Sequence, residues 1–209
     1  MLKKTLAALA TVSLLLALTA PVSFASSWSI TNSRSNEAPI GAPAKSSDAF
    51  WPNPELFSSK YYLTVDLTNQ VVTAYSKDEF GNYSKMERQM ICSAGEDVTP
   101  TPTGTFHITR RRNRWHYFRK FNVWAQYMTQ FNGEYLFHSI LYSRRDEKTI
   151  NRTSVRKLGE PASHGCIRLT PEDAKWIYDN CLEGTPTEVF YGEKNAELTK
   201  LLKDAVNIL

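Results

Sequence analysis

The chain has 209 residues, 42% hydrophobic, 22% charged and 12% aromatic, a balance that fits one folded domain with tails and excludes disordered, collagen-like and polytopic membrane proteins. Its 25 basic and 21 acidic side chains give a formal charge of +4, of which Lys3 and Lys4 supply two units from an N-terminal stretch that looks removable. A surplus that small gives no reason to expect nucleic acid as a partner, although a mild attraction to anionic wall polymers is compatible with it.

Lys3-Lys4 is followed by an apolar run from Leu6 to Ala20 and by Ser23-Phe24-Ala25, a small-x-small cleavage site, so residues 1–25 read as a secretory signal peptide. A retained anchor is the alternative, but the run is short for a membrane span of about 20 residues. The mature protein is therefore expected outside the cytoplasm, in extracellular, cell-wall or periplasmic space, with no membrane contact after cleavage. Residues 26–48 are rich in Ser, Asn, Ala and Pro and cannot bury enough surface to offset their ordering entropy, which predicts a flexible tether. A packed domain is expected over 49–192, with Phe50, Trp51, Leu56 and Phe57 as its first anchors.

Tyr61 to Leu67 alternates large apolar with polar side chains at the period of a half-buried strand, and Val71 to Tyr75 and Met86 to Cys92 read the same way. Gly81-Asn82 between the last two tolerates positive φ and predicts a hairpin. Thr101-Pro102-Thr103-Gly104 has the pattern of a type I turn feeding a strand from Thr105 to Thr109. The arginine-rich run Arg110 to Tyr117 reads as a solvated strand, Trp124, Tyr127 and Phe131 as core or as a lid over a cleft, and Tyr135 to Leu141 as another apolar strand. Thr170, Pro171 and Asp173 form a capping signature for a helix whose apolar face holds Ala174, Ile177, Tyr178 and Cys181 and which Gly184 should end. Glu188 to Tyr191 is expected as a closing strand. Over 193–209, Leu198, Leu201, Leu202, Ala205 and Val206 form the docking stripe of a C-terminal helix.

Three cysteines, Cys92, Cys166 and Cys181, leave at least one thiol without an intramolecular partner. Cys92 and Cys181 read first as core residues, with a bridge between them as the other option. No C-x-x-C or H-x-x-x-H spacing exists and His107, His116, His138 and His164 are scattered, so no metal site is expected.

The densest constellation is Ser163-His164-Gly165-Cys166-Ile167-Arg168-Leu169. A free thiol is only about 3% thiolate at pH 7, and a shift of about two units would raise that to roughly three quarters; a nearby histidinium is the usual means. His164, two positions from Cys166, shares its face without facing it well. His138, on an apolar strand 28 residues upstream, is the better partner, with a backbone carbonyl to orient its ring. Gly165 would let a substrate carbonyl approach, while the N–H groups of Gly165 and Cys166 point at a developing oxyanion. Arg168 could pair with a substrate carboxylate. Taken singly, a cysteine among apolar residues and a strand histidine are more often core than catalytic.

Ser163 to Leu169 resembles the Ser-His-Gly-Cys-x-Arg signature of the L,D-transpeptidase catalytic-domain family of bacterial cell walls, and further matches run in order through Val65-Asp66-Leu67, Ser93-Ala94-Gly95, Thr101 to Phe106, Phe137-His138-Ser139, Leu158-Gly159 and Asp173 to Tyr178. The resemblance implies a mainly β fold, a sandwich or barrel-like catalytic domain with a few helices, including the C-terminal one. It implies acyl transfer on peptidoglycan stem peptides through a Cys166 thioester, with His138 as base and the Ser139 carbonyl holding its ring. Ser163, His164, Gly165 and Arg168 match positions lining the acyl-donor site. No cofactor is implied. Relative to many such sequences, Ser143 to Arg156 looks like an inserted polar loop. An L,D-carboxypeptidase that passes the acyl group to water, and a non-catalytic peptidoglycan-binding module, remain the alternatives. Sortases place their arginine much later in the chain, and papain-like enzymes place Cys before His, so both fit less well.

Overall fold

The computed structural model describes residues 59–208. The expected signal peptide (1–25), tether (26–48) and aromatic anchors before Ser59 lie outside the described residues. Among the described residues no helix is long and apolar enough to cross a membrane.

The predicted alternation is realised in β1 (Tyr61–Asp66), where Tyr61, Leu63 and Val65 are buried and the residues between them are half-buried. The Asp66 carboxylate accepts the N–H groups of Thr68 (2.9 Å) and Asn69 (3.2 Å), which turns the chain into β2 (Val71–Lys77). A turn at Asp78–Asn82 with Gly81 at φ +85° leads to β3 (Tyr83–Ser93), completing the expected hairpin. Residues 101–103 are irregular rather than a turn, and the next strand, β4, is the shorter Gly104–His107. It is followed by β5 (Arg112–Phe118), a 3₁₀ turn (Arg119–Phe121), β6 (Val123–Asn132), β7 (Tyr135–Ser139) and β8 (Leu141–Tyr142). After α1 (Arg152–Arg156) come β9 (Ile167–Leu169), α2 (Pro171–Asn180), β10 (Pro186–Phe190) and α3 (Ala196–Asp204).

The fold is mainly β, with strand order β4-β10-β1-β2-β3-β9-β7-β6-β5 and β8 paired to β6. Strand β3 joins two halves: its body pairs with β2, and its last residues, Cys92 and Ser93, pair with Leu169 and Arg168 of β9. Side chains of both halves fill one core, with Leu63, Val65, Val72 and Val189 from one and Phe131, Phe137, Ile167 and Leu169 from the other. Ala174 and Ile177 of α2 join it. The α2 cap is as expected: Thr170 Oγ1 accepts the Asp173 N–H at 3.0 Å, a contact of about 1 kcal/mol.

Four expectations about elements are corrected. The α2 helix ends at Asn180 because Cys181 turns to extended backbone, so Gly184 lies beyond it. The closing strand, β10, runs over Pro186–Phe190 rather than Glu188 to Tyr191, parallel to β1 on one side and antiparallel to β4 on the other. The polar stretch Ser143 to Arg156 carries α1, capped by Asn151, and Val155 with Leu158 enters a second apolar cluster with Ile91, Ile140 and Tyr142. The α3 stripe is narrower than predicted: Leu202 and Val206 pack on that second cluster, whereas Leu201 is 68% exposed.

Candidate active site

The segment Ser163–Cys166 is a tight loop held by its own serine. Ser163, 1% exposed, accepts the Gly165 N–H at 3.0 Å and donates to the Cys166 carbonyl at 2.5 Å. Gly165 sits at φ +106°, and a Cβ there would lie 2.5 Å from Tyr135 Cε1, so the Tyr135 ring packs on the bare glycine. From outside, the Ala94 carbonyl accepts the N–H groups of Ala162 and Ser163, and Thr101 Oγ1 joins the Gly95 N–H to the Gly165 carbonyl. The Ser93-Ala94-Gly95 and Thr101 segments therefore form a cradle for the loop, which is why they accompany it in the sequence. Gly95 is required by that close approach, because a Cβ would fall 2.3 Å from the Thr99 carbonyl oxygen.

Parallel pairing of β7 with β9 sets Phe137 against Ile167, His138 against Arg168 and Ser139 against Leu169. The two-residue period of extended chain then puts Cys166 and Arg168 on the same face as His138. Both Cys166 and His138 line one cavity of about 520 Å³. Cys166 is partly exposed in it, with its sulfur 3.7 Å from the Glu134 carbonyl oxygen. His138 is 2% exposed, and its Nδ1 lies 2.6 Å from the Ser139 carbonyl oxygen. A carbonyl can only accept, so Nδ1 carries the proton and Nε2 of the neutral ring holds a lone pair.

The expected histidinium is corrected by this environment. Burial, reinforced by the Arg168 guanidinium and opposed by the Ser139 carbonyl, holds the His138 pKa down at about 3. Phe118 covers the ring with centroids 4.9 Å apart, and His116 in turn stacks edge-on against Phe118 at 4.6 Å. Burial pushes the Cys166 thiol above its usual range, against the opposing pull of the Leu136 backbone N–H and of Arg168. Both environments favour the neutral forms, thiol and imidazole, of the two groups that share the cavity.

The remaining predicted residues divide. Arg168 Nη1 donates to the Ala162 carbonyl at 2.7 Å, while its buried Nε has no hydrogen-bond partner. Among the described residues no carboxylate lies within ion-pair distance of it, so an unneutralised cation borders the cavity. His164 is exposed and stacks with Phe121 at 4.5 Å. The Gly165 N–H, expected to face an oxyanion, is occupied by Ser163 Oγ, and the open space expected over the glycine is filled by Tyr135.

The aromatic side chains that line the cavity are Tyr117, Phe118, Phe121 and Tyr135 rather than Trp124, Tyr127 and Phe131. Phe131 is core, packed on Phe106 and Phe137; Trp124 joins the second apolar cluster; Tyr127 packs on Tyr178. Of the basic run, Arg110 pairs with Glu183, Arg112 stacks on Tyr178 and Arg111 borders the cavity, as do Arg119 and Lys120 of the 3₁₀ turn. Cys92 and Cys181 are buried and unbridged, and burial pushes the Cys181 thiol up to about 12. Among the described residues no group of three or more His, Cys, Asp or Glu is placed to hold a metal ion. Glu134 and Tyr135, which also line the cavity, were not singled out by the sequence, although the turn signal Asn132-Gly133 just before them marks the hairpin end that carries both.

Residues 60–189 match the family model described as the L,D-transpeptidase catalytic domain. YciB of Bacillus subtilis (strain 168), a candidate L,D-transpeptidase, is 37% identical over 137 residues, which cover 63% of this chain and 66% of that protein. Among solved structures, an L,D-transpeptidase from Mycobacterium smegmatis is 23% identical with a TM-score of 0.50, over 63% of this chain and 59% of that one. The L,D-transpeptidase LdtMt1 in complex with imipenem is also 23% identical, with a TM-score of 0.51 over the same shares. The chain thus spans just under two thirds of the curated relative's length and 59% of each of these solved chains.

Proposed function

The chain belongs to the L,D-transpeptidase catalytic-domain family, and from that premise we propose that it is an exported enzyme that cross-links peptidoglycan stem peptides through a thioester on Cys166. In this reading residues 1–25 direct export, residues 26–48 tether the domain, residues 49–192 carry the chemistry and 193–209 dock as a helix. The observation that supports it most is a thiol and a buried imidazole with a free Nε2 lone pair opening on the same cavity.

His138 Nε2 takes the thiol proton as Cys166 sulfur bonds to the carbonyl carbon before a terminal D-alanine. The Ser139 carbonyl, already bonded to Nδ1–H, stabilises the imidazolium that forms. With the Gly165 N–H engaged, the backbone N–H of Cys166 is the loop donor assigned to the oxyanion. The imidazolium then protonates the leaving nitrogen, D-alanine departs and the thioester remains. An acceptor amine attacks, His138 removes its proton and returns it to the departing sulfur, and an amide joins the two stems.

Arg168 has a second role in this scheme. Its charge faces His138 and is one of the causes that depress the ring's basicity. A donor carboxylate paired with the Arg168 guanidinium where it borders the cavity would neutralise that charge, so the base strengthens when the donor is seated. Ser163 and Gly165 fix the loop, and His164 with Phe121 flanks the donor.

The reading is tested by mass analysis of muropeptides after incubation with the protein lacking residues 1–25. A dimer linked through the diamino acids supports it. Loss of D-alanine alone would replace it with L,D-carboxypeptidase trimming, and unchanged muropeptides with a binding module.

A further inference from the structure

The charges bordering the cavity are strongly lopsided. Arg111, Arg119, Lys120 and Arg168 bring four cations to it, and Glu134 is the one carboxylate among its described lining residues. Glu134 stands at the β6–β7 hairpin end, exposed, and its own backbone carbonyl is the group 3.7 Å from the Cys166 sulfur. Among the described residues its carboxylate forms no ion pair or side-chain hydrogen bond, although cations border the same cavity. An unspent negative charge therefore borders the cavity on which the nucleophile opens.

We infer that Glu134 is a positioning residue for the acceptor, binding the ammonium group of the incoming stem beside the Cys166 thioester. The inference rests on the proposed acyl transfer and adds to it the residue that selects a cationic acceptor over water. An amine with an ordinary pKa near 10.4 arrives as an ammonium, and in a cavity bordered by four cations it would be repelled. A single carboxylate bordering the same cavity as the reacting sulfur gives it a place to dock. The reaction balances as follows: the ammonium releases one proton to solvent, the nitrogen bonds to the thioester carbon, the carbon–sulfur bond breaks, and a second nitrogen-bound proton returns through His138 to the sulfur. The same carboxylate opposes thiolate formation, consistent with its upward push on the Cys166 thiol.

The test uses Glu134→Gln, an exposed substitution of equal size, with a stem tetrapeptide ending in D-alanine as donor. Two acceptors are compared: Nα-acetyl-lysine, cationic at neutral pH, and hydroxylamine, which is neutral there. Acyl-enzyme formation is followed separately by intact mass. For the variant, the apparent KM for acetyl-lysine should rise about tenfold, the size expected for losing a charge-assisted hydrogen bond, with no loss of kcat and no change in KM for hydroxylamine. Equal KM values for acetyl-lysine in parent and variant, or equal losses with both acceptors, would overturn the role of Glu134 while leaving the acyl-enzyme intact. A parent protein that forms no acyl-enzyme at all would overturn both this inference and the function beneath it.

Discussion

Acid should weaken the fold through His138 by an amount that follows from its surroundings. In the unfolded chain the ring has its ordinary pKa of 6.5, whereas in the fold burial under Phe118 and the facing Arg168 hold it at about 3. Between these values the unfolded chain binds a proton that the folded one refuses, so stability is full above pH 6.5 and falls as pH drops towards 3. At pH 4 the loss is about 3 kcal/mol, a large part of the roughly 5–15 kcal/mol that holds a typical domain together. His138→Gln keeps an N–H for the Ser139 carbonyl but cannot titrate. Urea midpoints followed by tryptophan fluorescence at pH 7 and pH 4, in parent and variant, isolate the effect because the carboxylates that titrate in both cancel. The parent should lose about 3 kcal/mol more than the variant over that interval. Parallel losses agreeing within about 1 kcal/mol would mean that the ring takes its proton inside the fold, and the neutral pair described above would be wrong.

Three further outcomes follow from the same geometry. Alkylation of Cys166 by iodoacetamide should keep accelerating beyond pH 9.0, the usual value for the thiol, because burial raises its pKa; a flat rate from about pH 5 to 8 would instead reveal a thiolate–imidazolium pair. Gly165→Ala should cost about 2–4 kcal/mol in denaturant unfolding, from a φ of +106° and a Cβ meeting Tyr135 at 2.5 Å, and a cost below about 0.5 kcal/mol would contradict the packing. Phe118→Ala should move the His138 pKa from about 3 towards 6.5 in an NMR titration by admitting water, and an unmoved value would assign its burial to other groups.

Strands with one solvated face were legible because alternation survives in them: Tyr61, Leu63 and Val65 turn inward as their spacing requires. Strand β6 was not, because Tyr127 adopts φ 55° in its middle and breaks the period of two, so its aromatics read as a cluster without a direction. The core reading of those aromatics is the one that the packing bears out. Which aromatic lines the cavity depends on the β5–β6 register, which pairs Phe118 with Val123 and Tyr117 with Trp124, and no local pattern in the sequence encodes it. The Ser163-to-Arg168 run pointed to the candidate site and to the chemistry proposed for it, since each residue type has a chemical reason to be there. What it could not give was burial. The protonation states of His138 and Cys166 come from Phe118, Leu136 and Arg168, residues on three different strands. The hydrogen bond that removes the Gly165 N–H from the oxyanion likewise depends on how Ser163 folds back on its own loop.

The central claim is that one of three thiols reacts, and that His138 makes it do so. Intact-mass analysis with peptide mapping after exposure to a carbapenem tests this directly. A single adduct is expected on Cys166, absent from Cys166→Ala protein that unfolds at the parent's denaturant midpoint, and forming at least about 100-fold more slowly in His138→Gln. An adduct on Cys92 or Cys181, or labelling of Cys166 at the parent's rate without His138, would contradict it.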